Sequence, residues 1–66
     1  MRVTLNGESR ELPGPLTLAQ LLAHLGVPAE RVAIEHNRVI IKREKWPAVE
    51  VRAGDKIEIV QFVGGG

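Results

Sequence analysis

Hydrophobic and polar residues alternate along much of the chain, and this period of two predicts β-strands with one buried face. The alternation covers residues 1–5, 32–36 and 56–62, where apolar side chains occur at every second position. A polar stretch at 8–12 and a short apolar run at 39–41 predict two further strands. The pattern therefore supplies enough strands for a small sheet.

Turn-forming residues separate these stretches. Asn6-Gly7 suits the positive φ angles of a tight hairpin, so the first two strands are expected to pair. Pro13-Gly14-Pro15 ends the second strand, because proline has no amide hydrogen for a sheet ladder. Asn37-Arg38 and Ala53-Gly54-Asp55 predict the two later turns.

One stretch has the period of a helix instead. Leucines at positions 18, 21, 22 and 25 form a single apolar stripe on one face of an α-helix. Thr17 is a good N-cap, and Gln20 completes a capping box. Gly26 suits the left-handed conformation after a helix, and Pro28 prevents the helix from resuming. We expect a helix from Thr17 to Leu25 whose leucine face needs a sheet to cover.

A charged segment connects the middle of the chain to the last strand. The run Lys42-Arg43-Glu44-Lys45 precedes Trp46 and predicts a helical turn or an irregular crossover. Trp46 is expected to seal one end of the core, although a contact between this segment and a partner protein is an alternative. Val49 and Val51 are candidates for a short additional pairing.

The order of these elements indicates an α+β fold. With the last strand beside the first, the arrangement is a ubiquitin-like β-grasp, a mixed four- to five-stranded sheet packed on one main helix. The predicted β-grasp domain covers residues 1–62, and residues 63–66 are predicted to form a flexible C-terminal glycine tail.

Composition narrows the classes of function. The chain has 66 residues and no cysteine, so its stability depends on aliphatic packing, and neither a disulfide nor a metal site is expected. Nine basic and eight acidic residues are interspersed, which argues against nucleic acid as a partner. Long apolar segments are lacking, which argues against a membrane span or a signal peptide. These features predict a soluble, cytoplasmic protein.

Candidate catalytic side chains are few. His24 and His36 have no nucleophile or carboxylate at catalytic spacing, and Ser9 has no evident base, so we interpret all three as structural. The sequence therefore does not predict an enzyme. The tail offers different chemistry, since Gly64-Gly65-Gly66 is a thin backbone that could thread a narrow channel and present a terminal carboxylate. A frayed end or an incidental linker is the alternative.

Two apolar residues just before the tail suggest a docking site. If Ile57 and Ile59 face the core, alternation places Val60 and Phe62 on the opposite, outward face. Exposed apolar patches often mark binding surfaces. A β-bulge near Val60 would instead turn one of the two side chains inward.

Together these features resemble the ThiS family, the small sulfur carriers of thiamine biosynthesis. The resemblance covers nearly the whole chain and includes its length, the opening strand with Asn6-Gly7 and the leucine-rich segment. Its more specific elements lie later in the chain: 32–37 as an apolar run ending at Asn, Arg43-Glu44-Lys45-Trp46 as an Arg-x-x-Trp motif, Gly54-Asp55-Lys56-Ile57, and the terminal Gly65-Gly66. Lys42 stands where relatives often carry proline.

The resemblance implies a mechanism. A ThiF-type adenylyltransferase would use ATP and magnesium to adenylate the Gly66 carboxylate, and a cysteine desulfurase system would supply the sulfur that replaces AMP. The resulting thiocarboxylate, a 1-thioglycine at Gly66, would donate sulfur to a ThiG-type thiazole synthase. Val60, Phe62, Val63, Gly64 and Gly65 would contact these partners, and the carrier itself would bind no cofactor.

Three alternatives remain open on the sequence. The chain could carry sulfur for molybdopterin synthesis or tRNA thiolation, with the same fold and chemistry but a different acceptor. It could be a ubiquitin-like modifier that forms an isopeptide bond through Gly66. It could also be a toxin-like or scaffold domain, for which the glycine tail would be dispensable.

Overall fold

A computed structural model describes residues 1–62, and the predicted tail at 63–66 lies outside the described residues. The elements follow in chain order as β1 (Arg2–Leu5), β2 (Glu8–Glu11), β3 (Leu16–Thr17), α1 (Leu18–Leu25), a 3₁₀ turn (Ala29–Arg31), β4 (Val32–His36), β5 (Val39–Ile41), a 3₁₀ helix (Arg43–Ala48), β6 (Glu50–Val51) and β7 (Lys56–Gln61). No helix in this part of the chain is long and apolar enough to cross a membrane.

Five strands form one mixed sheet in the order β2-β1-β7-β4-β5. β1 and β7 are parallel, whereas the other neighbours are antiparallel. This confirms the predicted mixed sheet with its last strand beside its first, and β2, which the polar stretch at 8–12 predicted, is an edge strand. The sheet places β7 at its centre, between β1, which pairs with its first two residues, and β4, which pairs with five positions from Ile57 to Gln61.

A second, two-stranded sheet pairs β3 with β6 through Leu16↔Val51 and Thr17↔Glu50. The sequence suggested a short pairing for Val51 but gave no sign of its partner. Two paired residues are too few to show a period, so alternation cannot identify such a strand.

Helix α1 has the ends that its sequence predicts. The Thr17 hydroxyl accepts a hydrogen bond from the Gln20 amide at 3.1 Å, and the Gln20 side-chain oxygen accepts one from the Thr17 amide at 2.9 Å. Gly26 takes the left-handed conformation at φ 72°, which glycine adopts without strain. The helix begins at Leu18 rather than at Thr17, because Thr17 is the extended N-cap.

The buried leucines of α1 and the inward side chains of the sheet form a single core. Its buried members are Val3, Leu5, Leu12, Leu18, Leu21, Leu22, Val32, Ile34, Trp46, Val51 and Ile57. Trp46 is buried, and its indole Nε1 donates to the Ile41 carbonyl at 2.9 Å. The predicted packing role of Trp46 is thereby confirmed, and this hydrogen bond ties the 3₁₀ helix to the end of β5.

Asp55 fixes the turn that leads into β7. Its carboxylate lies 2.7 Å from His36 Nε2 and accepts hydrogen bonds from the Arg52 amide at 2.8 Å and from Asn37 Nδ2 at 3.2 Å. Partial burial opposes ionisation, but these hydrogen bonds outweigh it and hold the pKa of Asp55 below its ordinary value of 3.8. The result is a fixed starting point for β7 against the β4–β5 turn.

Candidate partner-docking site at the end of the last strand

Strand β7 determines which side chains face outward near the tail. It pairs with β4 over five consecutive positions, from His36↔Ile57 to Val32↔Gln61. The ladder runs without an inserted residue, so the suggested bulge at Val60 is wrong. The Phe62 amide extends the attachment by donating to the Arg31 carbonyl at 2.8 Å.

Because alternation is unbroken, Val60 and Phe62 lie on the face opposite to Ile57. Ile57 is fully buried, whereas Val60 is 58% exposed and Phe62 is 57% exposed. The outward position predicted for these two residues is therefore what the structure shows. Their role in binding a partner stays a prediction. The other predicted contact residues, Val63, Gly64 and Gly65, and the predicted reactive residue Gly66 lie outside the described residues.

Asn6 holds the second half of β7 in place. The β1–β7 ladder covers only Thr4↔Lys56 and Leu5↔Ile57 before β1 turns away. Asn6, with φ at 50°, then bonds β7 through its side-chain amide, where a strand would use its backbone amide. Its Oδ1 accepts from the Ile59 amide at 2.7 Å, and its Nδ2 donates to the Ile59 carbonyl at 3.3 Å. The residue that the sequence predicted only as a turn former thus also positions the strand that precedes the tail.

A third apolar residue joins this face, and sequence reasoning missed it. Ile40 on β5 is 73% exposed and stands opposite Glu35 on β4, so it lies on the same face of the sheet as Val60. The run Val39-Ile40-Ile41 gave no local signal, and only the pairing of Ile34 with Ile41 shows that alternation turns Ile40 outward. We call Ile40, Val60 and Phe62 the outer-face patch.

The side chains considered as catalytic candidates do not gather at this site. His36 is bound to Asp55, His24 is exposed in the last turn of α1, and the Ser9 hydroxyl accepts from Arg2 Nη1 at 2.9 Å on the edge hairpin. Among residues 1–62, no group of three or more His, Cys, Asp or Glu residues is placed to hold a metal ion. What the described part of the chain shows next to residue 63 is the exposed outer-face patch.

A mixed five-stranded sheet with parallel first and last strands, packed on one helix, defines a ubiquitin-like β-grasp protein. A family model refines this class: the model of the ThiS family matches residues 3–66, and the chain belongs to that family. The match includes the glycine residues that follow the outer-face patch.

Individual relatives agree with the family. The chain is 44% identical over 50 residues to the sulfur carrier protein ThiS of Bacillus subtilis, covering 76% of each chain. It also matches the crystal structure of the thiamine biosynthesis protein ThiS from Geobacter metallireducens with a TM-score of 0.88 and 38% identity, over the full length of both chains.

A longer relative carries a different name. The whole chain is 42% identical to a segment of a thiazole synthase from Paramagnetospirillum magneticum. The chain spans only 20% of the length of that protein, about a fifth, so the likeness concerns one segment of it.

Proposed function

We propose that this chain is a sulfur carrier for thiazole formation in thiamine biosynthesis and that the Gly66 carboxylate carries the sulfur. The observation that supports this most strongly is the family match, which extends through residue 66 and whose relatives include proteins named sulfur carriers. The chain acts as a protein co-substrate of other enzymes and not as a catalyst.

The chemistry follows from the low reactivity of a carboxylate. In the first step, a Gly66 carboxylate oxygen attacks the α-phosphorus of ATP, pyrophosphate leaves, and an acyl adenylate forms. In the second step, the terminal sulfur of a persulfide on a cysteine desulfurase system attacks the acyl carbon and AMP leaves, giving an acyl disulfide. A thiol then attacks the sulfur that remains on the persulfide donor, forms a disulfide with it and releases the thiocarboxylate. We assign the ATP and magnesium of this step to a ThiF-type adenylyltransferase.

The chain's own residues present Gly66 to these enzymes. The outer-face patch packs on the partner, while the central position of β7 and the Asn6 side chain hold the strand that leads to the tail. Val63, Gly64 and Gly65 then pass through the channel to the active site. Glycine suits such a channel because it lacks a Cβ and admits close approach of other backbone.

The acceptor that we propose is a ThiG-type thiazole synthase. Support comes from the Paramagnetospirillum magneticum relative, in which a segment similar to this whole chain is part of a protein named thiazole synthase. A carrier and its acceptor joined in one polypeptide would meet at high effective concentration.

Intact-mass spectrometry tests the proposal. The purified chain is incubated with its adenylyltransferase, ATP, magnesium, cysteine, a cysteine desulfurase and a thiol reductant, and we expect the mass change of one oxygen replaced by sulfur at Gly66. A variant lacking Gly65 and Gly66 is the control: it should melt like the wild type and show no change in mass. An unchanged wild-type mass would refute the carrier role.

The acceptor is tested separately with the loaded carrier. We expect sulfur transfer to thiazole synthase and none to molybdopterin synthase. Transfer to molybdopterin synthase alone would move the protein to another pathway while leaving the carrier chemistry intact.

A further inference from the structure

The outer face of the sheet carries two carboxylates opposite each other. Glu35 on β4 and Glu58 on β7 are direct partners in the antiparallel ladder, so both side chains leave the same face. Directly opposed residues have Cβ atoms about 4.5–5.5 Å apart, and like charges in that position destabilise a sheet. The folded chain therefore maintains an unfavourable pair on this face.

Apolar side chains flank the two carboxylates. Ile40 stands opposite Glu35 on the edge strand, and Val60 follows Glu58 at the next position on the same face of β7. Both are largely exposed. The carboxylate pair is thus continuous with the outer-face patch, and a partner that packs on the patch must also meet these charges.

Neither carboxylate is neutralised by a basic side chain within residues 1–62. The ion pairs of this part of the chain join Glu11 to Arg2 and to the N-terminus, His36 to Asp55, and Arg52 to Glu50. Lys56 lies on the same face of β7, two positions before Glu58, but forms no ion pair with it. The carboxylates consequently keep their capacity to bind a cation from outside the chain.

We propose that Glu35 and Glu58 receive an arginine of the adenylating enzyme and that the outer-face patch packs against apolar side chains around that arginine. The inference rests on the proposed function, since it assumes that an adenylating enzyme binds this chain. A guanidinium carries five donors in a planar fork and can bond two carboxylates at once, which a compact ammonium does less well. A guanidinium between the two glutamates also replaces their mutual repulsion with attraction to a shared positive charge. The complex therefore gains a neutralising partner that the two carboxylates lack in the free chain.

The test compares two double variants with equal changes in net charge. Glu35→Gln/Glu58→Gln removes the pair and keeps the side-chain shapes, whereas Glu8→Gln/Glu50→Gln removes two exposed carboxylates elsewhere in the described chain. Affinity for the ThiF-type adenylyltransferase is measured by titration calorimetry at several salt concentrations, and melting temperature is measured for each variant.

We expect the first double variant to bind roughly five- to thirtyfold more weakly, to lose most of the salt dependence of binding, and to melt no lower than the wild type. The control should stay within about twofold of the wild type, since charges outside an interface contribute little. Wild-type affinity and salt dependence in Glu35→Gln/Glu58→Gln would overturn the inference and leave the carrier function standing. Failure of the wild type itself to bind the adenylyltransferase would instead overturn both.

Discussion

The two faces of β7 carry apolar side chains in opposite surroundings. On the inner face, Ile57 is fully buried and Ile59 packs at the edge of the core formed with the leucines of α1. On the outer face, Val60 and Phe62 are more than half exposed, and none of the described elements covers them. Hydrophobicity alone therefore does not distinguish a residue that holds the fold from one that is available to a partner. The position of a residue in the strand ladder makes this distinction.

The outer face also changes character along the strand. Its first residues, Lys56 and Glu58, are charged, as is usual for a face in contact with water. Its last residues are apolar and stand where the chain leaves the sheet toward 63–66. A strand that needed only to be solvated could have remained polar to its end, so the apolar end supports a contact with another protein there.

The core that covers the inner face of β7 can be broken at Leu21 of α1, which is fully buried. Leu21→Ala should lower the free energy of unfolding by about 2–5 kcal/mol, through lost burial and the cavity left behind. Because small domains have few kcal/mol to lose, the variant is expected to be largely unfolded in a thermal or urea melt. Leu25→Ala on the same helix is the control and should cost less, since Leu25 is only half-buried. Equal effects at the two positions would show that the leucine stripe is not organised around one core.

A smaller effect is expected at Asp55, which fixes the start of β7. Since folding lowers the pKa of this carboxyl, its contribution is complete above the ordinary value of 3.8 and is lost as pH falls through the lower, folded-state pKa. Asp55→Asn should cost about 1–3 kcal/mol at neutral pH. Below about pH 4 its stability should approach that of the wild type.

Urea unfolding of the wild type and of Asp55→Asn between pH 7 and pH 3 measures the difference between their free energies of unfolding. The comparison isolates Asp55 from Glu11, whose pKa is also lowered, chiefly by a hydrogen bond from the N-terminal amine. If the wild type and Asp55→Asn differ in free energy of unfolding by the same amount at pH 7 and at pH 3, the ionised carboxylate makes no specific contribution to stability.

Much of the fold could be predicted because its signals are local. The capping box at Thr17 and Gln20, the glycine at 26 and the leucine spacing define α1 within about ten residues of sequence. Alternation identified three strands, at 1–5, 32–36 and 56–62, and placed Val60 and Phe62 outward. Both patterns depend only on near neighbours in the chain.

Most of the missed features depend on residues far apart in sequence. The β3–β6 pairing joins Leu16 to Val51, and the Asn6 side chain bonds β7 at Ile59. The opposition of Glu35 and Glu58 appears only once the register between two strands is known. Ile40 was overlooked because Val39-Ile40-Ile41 is uniformly apolar, which is the pattern of a buried strand, although β5 is an edge strand.

The rate at which Phe62→Asp forms the thiocarboxylate tests the difference between the two faces most directly. The rate is followed by intact mass, with the adenylyltransferase held at a fixed, limiting concentration. Since Phe62 is exposed, we predict a melting temperature near that of the wild type and a rate at least roughly tenfold lower, because apolar anchors carry much of an interface's binding energy. A wild-type rate in a fully folded Phe62→Asp variant would contradict the account and place recognition elsewhere, such as around Arg43 and Trp46.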